Sequence, residues 1–420
     1  MDINNLLRGI HCSCGRYHSC DIKYVAIEKN AISALTKLAA DFHSILLVAD
    51  ENTFAAAGQK TLSAIGDKYS RRVVFPGSPI LIPNEDAIEA VTKVLDGIDL
   101  IIGIGSGVIQ DLCKYVSHER GIPYFIVATA PSMDGYASTG AAMILEGMKT
   151  TVSANVPAAI IADTEILKDA PMDMIQAGYG DIVGKYSALN DWRLSHVVNG
   201  EYFCQYIYDL TFEMLQKTLN LADGLRKREE ESVKVLMEAL TIVGIAMSFA
   251  GSSRPASGSE HHLSHFFEIT GIVNGEAYFP HGIDVAYSTV VTATLREQLL
   301  KQPWPDNQYR PEKEDYLAQM SRIYGPVAKG CIALQEKVGL YRKDMLSIYK
   351  EKEQEIRKIL SEMPSASEIE RMLNAVELKM DAFYALYSEK KIADAISYAK
   401  ELKDRYTVLW MYYDLFGPRG

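Results

Sequence analysis

Between residues 23 and 165 the chain switches repeatedly between two hydrophobic periods, and no other feature limits its fold as strongly. Short β-branched runs stand at Lys23–Glu28, Ser44–Ala49, Arg72–Phe75, Asp99–Ile104 and Pro123–Ala128. Helical stretches lie between them, at Ala31–Asp41, Asn52–Ile65, Glu85–Leu95 and Val108–Ser117. Strands that are apolar almost without interruption must be covered on both faces, and helical crossovers return the chain in the same direction. The alternation therefore predicts a parallel sheet clad in helices. From Thr151 to Ile161 the pattern turns back to β, predicting a hairpin or edge strands. After Asp163 only helical periodicity is read, at Tyr186–Val198, Phe203–Leu221, Glu229–Ala250, His261–Phe267 and Val285–Lys301. The chain is expected to divide near 165, into an α/β domain (1–165) and an all-helical domain (166–420). The charged helices at Tyr341–Ile359, Ala366–Glu389 and Ile392–Tyr406 read as an appendage for packing or for supporting a dimer.

Composition narrows the function classes. With 43 basic and 54 acidic residues the net charge is −11, and no Lys/Arg run is longer than three residues. A nucleic-acid partner would need a basic face, so none is expected. No run reaches the roughly 18 apolar residues of a membrane span; Met237–Ala250 is shorter and is broken by Glu238. The N-terminus has no apolar stretch of signal-peptide type, and a cytoplasmic chain is expected. Six cysteines do not make a disulfide framework. Cys12, Cys14 and Cys20 crowd together with His11 and His18. Four ligands within nine residues leave little chain to wrap a tetrahedral ion, so a reduced, partly buried hairpin is favoured over structural zinc.

Several segments carry chemistry. Leu100 to Asp111 runs from a buried strand through Gly103, Gly105 and Gly107 into a helix, a combination suited to phosphate because helix amides and dipole favour an anion. Its spacing is neither GxGxxG nor a Walker loop. Asp50 ends a strand, where a carboxylate accepts from a ribose or caps a helix. Asp134 and Ser138 lie in the small polar loop Ala128–Ser138, either facing a ligand or forming a turn. Asp181 follows glycines in Gly178–Lys185, as a helix cap or a ligand. His261 and His265 are spaced four apart on one helix face, and His281 opens a His-Gly turn. One carboxylate and two imidazoles with an open position make a Lewis-acid metal site.

A Gly-rich turn ending in Asp111, the Thr129–Ser138 loop, the Gly180-Asp-Ile-Val183 segment, the His261/His265 helix and the His281-Gly282 turn occur in one order. Together they resemble the metal-dependent polyol dehydrogenases related to iron-containing alcohol dehydrogenases, glycerol dehydrogenases and dehydroquinate synthases. Within that superfamily they are most similar to bacterial-type sn-glycerol-1-phosphate dehydrogenases. Ala130–Ser138 and Ser252–His261 are the most diagnostic segments, and the resemblance covers roughly residues 23–300. It implies one divalent ion per subunit, nickel or zinc, held by Asp181, His261 and His281. It implies NAD(H) or NADP(H) lined by Gly107, Val108, Ile109, Gln110, Asp111, Thr129, Ala130, Pro131, Ser132 and Ser138, with Asp50 on the ribose. Asp134, Asp181 and His265 would face the substrate, with His265 and Asp134 catalytic. The implied reaction reduces dihydroxyacetone phosphate to sn-glycerol 1-phosphate, the metal polarising the ketone and His265 delivering the proton. Rivals are an unphosphorylated glycerol dehydrogenase, a dehydroquinate-synthase-like lyase and a non-catalytic nucleotide-binding regulator. Arg254, in a hydroxyl-rich segment before the His261 helix, is expected to bind the substrate phosphate, the alternative being a pair with a nearby acid. A homodimer is the default assembly.

Overall fold

The structure is a computed structural model that describes residues 3–419 apart from 147. The chain forms two compact units, one of Met1–Tyr179 with Gln216–Ser253 and the other of Gly180–Leu215 with Arg254–Gly420.

The first unit begins with a small antiparallel hairpin, β1 (Ile10–His11) and β2 (Tyr17–His18). The sheet strands follow as β3 (Tyr24–Glu28), β4 (Ile45–Asp50), β5 (Tyr69–Phe75), β6 (Leu100–Gly105) and β7 (Tyr124–Ala128). A second hairpin, β8 (Gly140–Leu145) and β9 (Met148–Ser153), precedes β10 (Ala159–Asp163). Six strands form one parallel sheet in the order β3-β10-β7-β6-β4-β5. Successive side chains of a strand point to opposite faces. Leu47, Ala49, Ile102, Ile104 and Val127 therefore pack on one side, and Leu46, Val48 and Ile101 pack on the other with Leu112 and Val116. That double burial is why these strands read as continuous apolar runs.

Two expectations need correction. The Thr151–Ile161 region is the expected hairpin only in part. Its first residues complete the β8–β9 hairpin, and Ala159–Asp163 lies inside the sheet between β3 and β7. Interior position comes from pairing with strands far away in sequence, which no local pattern encodes. Nor does the chain pass once between units at 165. The first unit runs on to Tyr179 and takes back residues 216–253. The reason is the helix Glu230–Ala250, which at 21 residues matches the helical stretch read there from the sequence and is apolar enough to cross a membrane by length and composition. Its most apolar window is 78% buried, so it is a core helix. Gly244 lets it approach the Gly135–Ala137 turn, since a Cβ there would lie 2.7 Å from the Asp134 carbonyl oxygen.

The second unit is helical, and no strand follows Asp163 among the described residues. The helices Lys185–Asn199, Ser259–Asn274 and His281–Lys301 form its centre. The C-terminal helices supply packing: Tyr349, Ile356, Ile359, Trp410 and Met411 share one apolar cluster with Leu194, Val198 and Leu299. Within this layer the buried Lys400 pairs with Glu401 and lies 3.7 Å from the centre of the Tyr413 ring.

Candidate functional site

In the second unit three donors converge. One ligand atom each from Asp181, His261 and His281 lies within 4.8 Å of the others. His261 Nε2 stands 3.6 Å from Asp181 Oδ1, and the His261 and His281 ring centres are 5.1 Å apart. Metal bonds of about 2.0–2.2 Å at tetrahedral angles place N and O ligands roughly 3.4 Å apart, so these residues fit a divalent ion with little movement. The chain builds this geometry through glycines. A Cβ at Gly180 would sit 2.6 Å from Ala286 Cβ, and one at Gly184 would sit 2.6 Å from Val285 Cγ1. Both glycines let the segment carrying Asp181 lie against the helix that His281 begins.

The surroundings orient and charge the set. Glu260 Oε1 lies 2.7 Å from His261 Nδ1; a carboxylate only accepts, so the proton sits on Nδ1 and Nε2 faces Asp181. Burial pushes the Asp181 carboxyl up, but Lys185, His261 and His281 outweigh it and hold it below the ordinary range. Lys185 Nζ donates to Asp181 Oδ1 at 2.7 Å and to the Ala256 carbonyl at 3.0 Å. Lys185, Glu260 and Asp191 were not singled out as site residues by sequence reasoning. Lys185 sits four residues after Asp181, a spacing that could have revealed it. Asp191 carries no local signal; its Oδ2 accepts from Ser259 N and its Oδ1 pairs with Arg296, fixing where the histidine helix starts.

His265 lies beside the set, its ring centre 5.4 Å from that of His281. A second triad, His265, Glu268 and His281, also has ligand atoms within 4.8 Å of one another, and Glu268 was likewise unforeseen. Arg254 behaves differently from its expected role. Its Nε and Nη2 donate to Glu201 at 2.7 and 2.5 Å, and Nη2 also reaches the Tyr406 carbonyl. At 2% exposure it is the arginine of an ion pair, the alternative weighed from the sequence. The start of the Ser259–Asn274 helix is likewise answered by carboxylates: Glu260 accepts from Gly258 N and Asp191 from Ser259 N. An anion has little to gain there.

In the first unit the order of strand addition reverses between the parallel neighbours β4 and β6, whose onward connections run toward opposite edges of the sheet. Parallel sheets bind ligands at such a point, beyond the carboxyl ends of the strands. Asp50 ends β4 and caps the following turn, accepting from Thr53 N at 2.9 Å. After β6, Ser106 precedes the helix Gly107–Arg120. At Gly107 a Cβ would meet only the Met133 side chain, at 3.9 Å, whereas Gly103 and Gly105 serve packing against Cys113 and Ile109. Gly107, Val108 and Asp111 are half-buried. The Ile109 side chain packs in the core, and Gln110 donates to the Tyr124 hydroxyl and the Tyr136 carbonyl.

The loop after β7 starts beside β6, with Thr129 N donating to the Gly105 carbonyl. Thr129, Ala130, Ser132, Asp134 and Ser138 are buried, and Pro131 lies among them. Tyr136 and Lys114 hold the loop in shape. The Tyr136 hydroxyl donates to the Ala130 carbonyl, and Lys114 Nζ donates to the carbonyls of Gly135 and Gly140 and to Ser138 Oγ. Burial pushes the Lys114 ammonium down to about 8, against the pull of Asp111 and Asp134.

This parallel sheet followed by a helical unit is the architecture of the iron-containing alcohol dehydrogenases. Their family model matches residues 26–171. The iron-containing alcohol dehydrogenase of Thermococcus thioreducens superposes with a TM-score of 0.59 at 14% identity, covering 91% of this chain and 92% of that one. The glycerol dehydrogenase of Schizosaccharomyces pombe gives 0.54 at 18% identity, over 87% and 91%. Sequence similarity is more specific. The glycerol-1-phosphate dehydrogenase (NAD(P)+) of Halalkalibacterium halodurans is 30% identical, covering 95% of this chain and 94% of its own. That of Thermococcus sibiricus is 36% identical over 62% and 78%. The chain belongs to the glycerol-1-phosphate dehydrogenase family.

Proposed function

We propose that the protein interconverts sn-glycerol 1-phosphate and dihydroxyacetone phosphate with NAD(P) as hydride partner. The observation that carries this reading is the convergence of Asp181, His261 and His281 with His265 alongside, in a chain of this family. A divalent ion, zinc or nickel, held by Asp181, His261 and His281 would supply Lewis acidity toward the C2 oxygen of the substrate. A bound dinucleotide would supply C4 of its nicotinamide as hydride acceptor or donor.

The protein's own groups do the rest. In the oxidative direction the C2 hydroxyl gives its proton to His265, directly or through water, while hydride leaves C2; reduction returns both. An imidazole suits this because it titrates near neutral pH. Asp134, buried in the loop after β7, is assigned to hydrogen-bond a substrate hydroxyl, and the amides that open the Gly107 helix are assigned to the dinucleotide pyrophosphate. Thr129, Ser132 and Ser138 offer hydroxyls beside that helix. Asp50 keeps a carboxylate at the end of β4, which repels a ribose 2′-phosphate and favours NAD(H). Arg254 enters as a positioning residue through its pair with Glu201. A cytoplasmic homodimer completes the reading, with light scattering on the purified chain as its check.

The test compares dihydroxyacetone phosphate with dihydroxyacetone in an NADH- and NADPH-oxidation assay on metal-loaded protein. Preference for the phosphorylated ketone is expected, and equal turnover of both would favour a glycerol dehydrogenase. His265→Ala should keep its metal and lose about 10²–10⁴-fold in rate. Metal loss in that variant would move His265 into the ligand set.

A further inference from the structure

We propose that the N-terminal hairpin is a structural zinc centre with Cys12, Cys14 and His18 as ligands, sharing no residue with the Asp181 set. The donor atoms of these three side chains lie within 4.8 Å of one another. No disulfide engages any of the six cysteines among the described residues.

The backbone prepares the site. Cys12 N donates to the Arg16 carbonyl and Gly15 N to the Cys12 carbonyl, each at 3.0 Å, closing a tight turn between β1 and β2. Gly15 holds φ at +84°, a left-handed conformation that glycine adopts without steric cost. The turn directs the Cys14 amide at Cys12 Sγ, 3.5 Å away, and an N–H donated to sulfur favours the thiolate form that binds metal.

His18 is set for ligation by its outer contact. Its Nδ1 lies 3.0 Å from the Phe249 carbonyl oxygen, which can only accept, so Nδ1 carries the proton and Nε2 keeps its lone pair. Fixing one imidazole nitrogen on a carbonyl so that the other can bind metal is the usual outer-shell arrangement for ligating histidines. Nε2 stands 3.4 Å from Cys14 Sγ. Zn–S bonds of about 2.3 Å and Zn–N bonds of about 2.0–2.1 Å at a tetrahedral angle give an S···N separation of roughly 3.5 Å. The ring is 1% exposed and stacks on Phe249 at 5.7 Å, so its position is fixed.

Two thiolates and an imidazole suit zinc and exclude hard, oxygen-seeking cations. Water or a further donor would complete the four-coordinate shell. Cys20 is buried and hydrogen-bonded to Ser248, and its sulfur does not belong to the group of converging donor atoms. Without Cys20 the hairpin need supply only three of the four ligands, which eases the constraint that made zinc the weaker reading of the sequence. The ion would clamp the hairpin to the end of the Glu230–Ala250 helix, whose Ser248 donates to Ala137 in the Asp134–Ser138 loop.

Cobalt substitution of the full chain tests this, because a sulfur-to-cobalt charge-transfer band arises only where thiolates bind and the Asp/His/His set has none. The wild-type protein should bind two equivalents of metal and show the band. Cys14→Ser should lose the band and one equivalent; His261→Ala should lose the other equivalent and keep the band. Cys20→Ser should keep both. Absence of the band from folded, cobalt-saturated wild-type protein would overturn the proposal. So would Cys12 and Cys14 reacting with a thiol reagent equally fast with and without metal.

Discussion

Adding one methyl group at Gly180 tests how the candidate metal centre is assembled. In Gly180→Ala the new Cβ would lie 2.6 Å from Ala286 Cβ and 2.7 Å from the Gly282 carbonyl oxygen. Carbon atoms settle about 3.5–4.0 Å apart, so the Asp181 segment and the His281 helix must part by about 1 Å. Backbone oxygen and a neighbouring Cβ cannot rotate aside as a long side chain would. Overpacking of this kind costs about 1–3 kcal/mol. The separation falls between Asp181 and His281, and a misplacement of about 1 Å at a reacting centre lowers the rate by on the order of 10²-fold. Denaturant midpoints, metal retained on dialysis against a chelator, and ketone reduction measure the three effects. Gly330→Ala supplies the opposite case: within the helix Ala328–Val338, with nothing within 4 Å, it should stabilise by up to about 1 kcal/mol. Wild-type metal retention and rate in Gly180→Ala would refute the close-approach argument. So would the same sign of stability change in both variants.

Lys185→Met leaves a buried carboxylate without its ammonium partner and should destabilise the metal-stripped protein by about 3–5 kcal/mol, with added zinc or nickel restoring much of the melting temperature. No response to metal would argue against Asp181 as a ligand. Arg254→Ala breaks the pair with Glu201 and should lower stability by about 2–4 kcal/mol, reducing turnover of dihydroxyacetone phosphate and dihydroxyacetone alike; a loss confined to the phosphorylated ketone would return Arg254 to phosphate binding. Lys114 predicts a pH dependence. Its folded pKa of about 8 lies below the ordinary 10.5, so between these values the unfolded chain binds more protons and stability rises with pH, by roughly 3 kcal/mol in all. Lys114→Met should flatten that rise in urea titrations, and an unchanged slope would count against the depressed lysine.

Much of the first unit could be read from the chain because its strands advertise burial on both faces, as Ser44–Ala49 and Asp99–Ile104 do. Strand order could not, since Ala159–Asp163 owes its interior place to β3 and β7. The convergent Asp181, His261 and His281 were legible through their motifs, and the structure brings them together. Their supports were less so. Glu260 and Lys185 look like ordinary charges on helices until burial shows them facing a histidine and a carboxylate. The sequence could not place Arg254, because a hydroxyl-rich segment before a helix looks the same whether its arginine meets a ligand or Glu201. Gly103 and Gly105 misled, for a glycine that admits a neighbouring side chain cannot be told from one that admits a ligand.

The first unit is discontinuous in sequence, and synthesis must respect that. Its last sheet strand ends at Asp163, yet the helix that covers the Gly135–Ala137 turn ends at Ala250. At about 5–20 residues per second, the ribosome needs on the order of 5–20 s to deliver the missing piece. During that interval the nascent sheet is complete in strands but lacks part of its cover, with the apolar face meant for Glu230–Ala250 open to water. Folding of this half is therefore timed by translation past Ser253, and slow decoding between 164 and 253 would lengthen the period in which chaperones must shield it.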